Sequence, residues 1–182
     1  ISEGLRIIAL PSTIAFGTLG IDSVTLAGTQ TAIAISAVEA VTGNTTGTTD
    51  TVTLLASGAI TVSGIDTVLG ASGATDQVTL SADDTLRISG VETVIGATGS
   101  EAIVMLTGGA VAISSVETVT GSAGSADVIT LLDTPAAALK VSGIESVIGT
   151  TAAGDAVQLL TGGRIAVSGM ETVLGSGGSL DV

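Results

Sequence analysis

Val62-Ser63-Gly64-Ile65-Asp66-Thr67-Val68 returns as Ile88-Ser89-Gly90-Val91-Glu92-Thr93-Val94, and that recurrence decides the fold. Further copies are Ile113-Ser114-Ser115-Val116-Glu117-Thr118-Val119, Val141-Ser142-Gly143-Ile144-Glu145-Ser146-Val147 and Val167-Ser168-Gly169-Met170-Glu171-Thr172-Val173. A looser copy is Ile35-Ser36-Ala37-Val38-Glu39-Ala40-Val41. The acidic positions 39, 66, 92, 117, 145 and 171 fall 25–28 residues apart. A second block keeps the same beat: Asp50-Thr51-Val52-Thr53-Leu54, then runs opening at Asp76, Glu101, Asp127 and Asp155. Asp22-Ser23-Val24-Thr25-Leu26 precedes them and Asp181-Val182 begins another. Self-similarity at a fixed period is the mark of a repeat architecture.

One unit, residues 50–75, holds three short runs. Residues 51–55 meet a break at Ser57-Gly58; Ala59-Ile60-Thr61-Val62 stops at Ser63-Gly64; residues 65–69 run into Gly70-Ala71-Ser72-Gly73. These are strands of about five residues closed by Gly and Ser turn chemistry. No window has the 3.6-residue apolar period of a helix, and Thr, Val, Ile and Gly are poor helix formers. Near-identical strands with turns of variable length argue against a sandwich. The expected fold is all-β, a right-handed parallel β-helix (β-solenoid) with about 26 residues and three short strands per coil, in six to seven coils. Each strand type would stack on its own copy, giving apolar columns such as Val52/Val78/Ile103/Ile129/Val157, Leu54/Leu80/Met105/Leu131/Leu159 and Ile60/Leu86/Val111/Leu139/Ile165. Residues 1–20 fit the repeat poorly and read as a degenerate coil or an N-terminal cap. Residues 21–182 are the repeat array, which stops in mid-repeat.

The 182 residues include 17 Asp+Glu against 4 Lys+Arg, for a net charge of −13, with no Cys, His, Trp or Tyr. His- or Cys-based metal sites and Ser-His-Asp machinery are therefore excluded. A net negative chain with Phe16 as its one aromatic residue is also unsuited to nucleic acid. Charged residues make up 12% of the chain, about half the usual ~25%, so a membrane span has to be considered. The longest uncharged stretch, residues 23–38, is broken by Thr, Gly, Gln and Ser and is too short and polar to span.

Thirteen acids form two columns: Asp22, Asp50, Asp76, Glu101, Asp127, Asp155, Asp181, and Glu39, Asp66, Glu92, Glu117, Glu145, Glu171. Stacked on their own copies about 4.8 Å apart, like charges would cost about 0.9 kcal/mol per neighbour pair at the dielectric of water, and about 3.5 at an effective dielectric of 20. Splaying into water, hydrogen bonds from turn amides, or cations between coils would relieve that. For the first column, amide capping of each coil's own turn competes with calcium binding. The second column reads as a solvated outward face, with the side taken by Val68 and its equivalents left open.

Gly17-Thr18-Leu19-Gly20-Ile21-Asp22-Ser23-Val24-Thr25 has the spacing G-x-x-G-x-D-x-U-x, and Gly96-Ala97-Thr98-Gly99-Ser100-Glu101-Ala102-Ile103 keeps it with Glu for Asp. This resembles the calcium-binding nonapeptide of RTX proteins. Residues 21–182 as a whole are similar to the degenerate repeats of large secreted bacterial RTX-like and β-strand-repeat proteins. Most turns depart from the strict motif by one or two residues, as in Gly70…Gly73…Asp76. The resemblance implies export, a cell-surface or matrix location and calcium dependence. Asp22, Asp50, Asp76, Glu101, Asp127, Asp155 and Asp181 are then the candidate calcium (Ca²⁺) positions.

Arg6, Arg87, Lys140 and Arg164 are scattered, and no long loop interrupts the coils to build a cleft, so no enzyme is expected. The leading expectation is a structural building block of a surface filament, surface layer or adhesin stalk, self-associating end-to-end or laterally. The alternative is an adhesin-type module presenting Thr- and Ser-rich faces to a glycan, ice or a host surface.

Overall fold

The computed structural model describes residues 6–9, 13–17, 20–27, 32–44, 49–73, 75–124 and 126–177, with side chains from Gly17 onward. Alternating β-branched and small polar residues give twenty short strands among the described residues. They begin with β1 (Arg6–Ala9), β2 (Thr13–Phe16), β3 (Ser23–Leu26), β4 (Ala32–Ser36), β5 (Ala40–Thr42), β6 (Thr51–Leu54) and β7 (Gly58–Ser63). There follow β8 (Thr67–Leu69), β9 (Asp76–Leu80), β10 (Thr85–Ser89), β11 (Thr93–Ile95), β12 (Ala102–Met105), β13 (Gly109–Ser114) and β14 (Thr118–Thr120). The last are β15 (Asp127–Leu131), β16 (Leu139–Ser142), β17 (Ser146–Ile148), β18 (Ala156–Leu159), β19 (Ala166–Ser168) and β20 (Thr172–Leu174).

Odd strands form one ten-stranded sheet in chain order and even strands a second. All pairings are parallel, so the chain winds as a β-solenoid, as its repeats imply. The coil itself differs from the expected one: it contains two strands, not three. Thr51 lies across from Thr67 and Val68 across from Ile88, sixteen and twenty residues on. The 26-residue repeat is therefore one and a half coils, and successive repeats start on opposite sheets. Ten strands per sheet replace the six to seven larger coils, and at about 4.8 Å per strand the rod is about 43 Å long. β1 and β2, in the poorly matching first twenty residues, are the first strands of the two sheets.

The reason lies in the strands' interchangeability. Val52, Val62 and Val68 each present the same kind of inward side chain, so the core accepts any of the three strand types above any other. Each sheet accordingly repeats the order of acid-led strand (as β6), Thr-Val strand (as β8) and SG-ended strand (as β10). Val78 faces Val94, Val94 faces Ile113, and Ile113 faces Leu131. The like-on-like columns do not form, but their residues do build the dry core: Val52, Val78, Ile103, Ile129 and Val157 are all fully buried. Val68, Val94, Val119 and Val147 also face inward, leaving Thr67, Thr93, Thr118 and Ser146 outside.

Candidate functional site

The acids gather where strands begin, along both edges of the rod. Asp22, Asp50, Asp76, Glu101, Asp127 and Asp155 are each at most 1% exposed. A Thr-Val strand always follows an acid-led strand in the sheet, so the two acidic columns interleave rather than forming separate rows. The Asp76 amide donates to Glu92 Oε2 at 2.8 Å, the Asp127 amide to Glu145 Oε2 at 2.7 Å and the Glu101 amide to Glu117 Oε2 at 2.7 Å. Asp22 with Glu39, Asp50 with Asp66 and Asp155 with Glu171 repeat the bond. The acids thus come in pairs, and the next strand, SG-ended, brings no acid into that bond. The second column corrects the expected solvated face: Glu39, Asp66, Glu92 and Glu117 are half-buried acceptors of backbone amides, though Glu145 and Glu171 are exposed.

The Asp side chains of the first column close their own turns. Asp76 Oδ2 accepts from the Ala71 amide at 2.6 Å, and Asp127 Oδ2 from the Ser122 amide at 2.6 Å. Asp50 and Asp155 accept from Asn44 and Thr150 in the same way. Burial by itself raises the Asp155 carboxyl, but bonds from the Thr150 hydroxyl and amide and the Thr134 hydroxyl outweigh it and hold the group below its ordinary value. Asp181 lies outside the described residues.

The glycine opening each turn has a contact role. Gly70 donates its amide to Ser89 O at 2.8 Å, and a Cβ on Gly70 would stand 1.7 Å from Gly90 O. Gly90 itself has φ +64°, a conformation that favours glycine. The SG at the end of one strand and the Gly closing the Thr-Val strand of the neighbouring coil are two halves of one contact. Reading these glycines as turn formers alone misses it, because only the stacking order shows which residues meet.

The implied calcium can be tested against these donors. An oxygen facing an N–H is a poor cation ligand. On that count the turns fit amide capping better than calcium, and we identify none of these acids as a metal ligand. Two of the first-column acids are incompletely satisfied: both Glu101 oxygens and Asp155 Oδ1 are buried without a hydrogen-bond partner. A recess of about 350 Å³ opens beside Glu117, between Thr98-Gly99 and the Asp133-Thr134-Pro135 loop.

No family model, curated protein or solved structure matches the chain. Among the described residues no helix is long and apolar enough to cross a membrane.

Proposed function

We propose that the chain is a structural segment of an extracellular bacterial assembly, a rod that contributes length and a packing face to a filament, surface layer or adhesin stalk. The secreted setting rests on the RTX-like resemblance. The mechanical reading rests on how the rod distributes its charge. From β3 to β19 the outer face of the odd-strand sheet carries no charged side chain; its two strand acids, Asp76 and Asp127, are buried. Ser, Thr and Ala dominate that face, while the acids are confined to the edges.

A neutral, regular face between two acidic edges favours packing by the face and opposes packing by the edges. Leu55, Leu106 and Leu160 stand exposed at the turns that leave β6, β12 and β18 of the other sheet. They recur every third coil, about 14 Å apart. Electron microscopy of the purified chain over a concentration series tests the reading. Ordered fibres or sheets are expected, weakened by an Ala112→Lys substitution that puts a charge on the neutral face. Monomers that persist at high concentration and adhere to a glycan, ice or cell surface would replace it with the adhesin-module reading.

A further inference from the structure

The turn at residues 96–101 ends in a closing acid whose two oxygens make no well-formed hydrogen bond. Both Glu101 oxygens are buried and unpartnered, at 1% exposure of the residue. An ionised carboxylate so placed bears the desolvation cost without a hydrogen bond to offset it.

The charged groups around it are acidic. Glu117, ahead of β14, accepts the Glu101 amide at 2.7 Å and is the charged group that acts on it most. Asp83, in the loop before β10, lies against this turn: a Cβ on Gly99 would stand 1.7 Å from Asp83 Oδ1. Asp84 gives its backbone carbonyl to the Ala102 amide and its carboxylate to the Thr85 amide. Asp133, across the recess, is taken up by the hydroxyls of Ser114 and Ser115. The cations of the same sheet do not help. Arg87 on β10 and Lys140 on β16 are exposed, alternating with buried Leu86, Ile88, Leu139 and Val141, so they stand on the outer face.

We propose that Glu101 and Glu117 hold one proton between them, which makes this turn a pH-sensitive joint in an otherwise uniform rod. With both groups ionised, neither has a hydrogen to donate, and the Glu101 oxygens are orphaned. One proton creates an O–H···O bond between them and removes one negative charge facing Asp83. Burial raises the Glu101 carboxyl most. Hydrogen bonding to Glu117 and the charges of Glu117 and Asp83 add to that, and the group stands at about 7 against an ordinary 4.5. The Ala97 amide offsets part of this from outside good hydrogen-bond geometry. Glu117 lines the recess, which gives the shared proton a route to bulk water.

The pH dependence follows. An unfolded Glu101 releases its proton near 4.5, whereas the folded Glu101 keeps it to about 7. The folded state binds more protons between those values, so stability falls as pH rises from about 4.5 to about 7 and levels off above. Glu101→Gln mimics the protonated form: its amide donates to Glu117 and carries no charge.

Urea unfolding of the wild type and Glu101→Gln, from pH 4 to pH 8.5 with and without millimolar Ca²⁺, tests the proposal. The variant should match the wild type near pH 4 and exceed it above pH 7. Asp83→Asn should move the wild-type decline to higher starting stability and lower pH. Carboxyl ¹³C titration of Glu101 should show an apparent midpoint near neutrality. Parallel stability profiles, or a Glu101 midpoint near 4.5, would overturn the shared proton. A wild-type gain with Ca²⁺ at pH 8 that Glu101→Gln lacks would also overturn it, since a cation would then be what answers the charge.

Discussion

The turns ending at Asp127 and at Glu101 share a plan, and they differ in what surrounds the closing acid. In the first, Asp127 Oδ2 takes the Ser122 amide at 2.6 Å and the Ser122 hydroxyl lies within 3.2 Å of both oxygens. The residue across from Asp127 in the preceding coil is Gly109, which brings no charge. In the second, the loop is one residue shorter, the acid is one methylene longer, and the preceding coil brings Asp83 and Asp84 to the same edge. A carboxylate at this position is a stabilising cap when the turn supplies donors, and a source of strain when its neighbour is another acid. The repeat specifies the position of the acid; the adjacent coil decides its protonation.

What the two turns share should matter most. A Cβ on Gly121 would stand 1.9 Å from Gly143 O, and one on Gly96 would stand 1.8 Å from Ser115 O. Both obstacles are backbone, so neither yields by a rotamer change. Gly121→Ala and Gly96→Ala should each cost at least about 3 kcal/mol, at the severe end for single substitutions. Gly58→Ala, where an added Cβ meets nothing within 4 Å, should stay within about 0.5 kcal/mol. Denaturant midpoints of the three variants check this; similar losses at all three sites would remove the glycine–carbonyl contact from the account.

What separates the turns should appear next. Asp127→Asn keeps an acceptor for the Ser122 amide but loses the charge that strengthens the bond, so a loss of about 1–2 kcal/mol at pH 7 is expected. Glu101→Gln at the same pH should move the other way. Because the Ser122 amide and hydroxyl already occupy Asp127, EGTA should leave the melting midpoint of the wild type and of Asp127→Asn unchanged. A fall in the wild type alone would restore calcium to this turn.

How much of this was readable beforehand divides along one line. Inward alternation, strand length and turn positions are local properties, and the repeats at Val62, Ile88 and Val141 display them directly. The number of strands per coil is not local. Each strand type offers one or two inward apolar residues at the same spacing, so the sequence period of about 26 residues says nothing about where the coil closes. The placement of the acids failed for the same reason: Asp76 and Glu92 belong to different columns by sequence, yet they meet because their strands are neighbours. The capping of Asp76 by Ala71 was legible, since donor and acceptor are five residues apart. The isolation of Glu101 was not, because it depends on Asp83 arriving from the coil before.

The smallest effect concerns Ser115, whose carbonyl contacts Gly96 and whose φ is +52°. At the equivalent positions stand Gly64, Gly90, Gly143 and Gly169, with φ between +60° and +67°. A serine held there is strained by about 1 kcal/mol relative to glycine. Replacing it removes that strain and also a hydroxyl that approaches Asp133 Oδ2 at 3.3 Å. The lost bond is weak and replaceable, because the Ser114 hydroxyl holds the same oxygen at 2.8 Å and the residue 115 amide still donates to Oδ1 at 3.3 Å. Glycine also widens the freedom of the unfolded chain, which returns part of the gain. Ser115→Gly should therefore stabilise the rod by about 0.5 kcal/mol, with no change in the pH dependence set by Glu101. A clear loss of stability would mean that the Ser115–Asp133 contact, not the backbone conformation, holds this coil beside the recess.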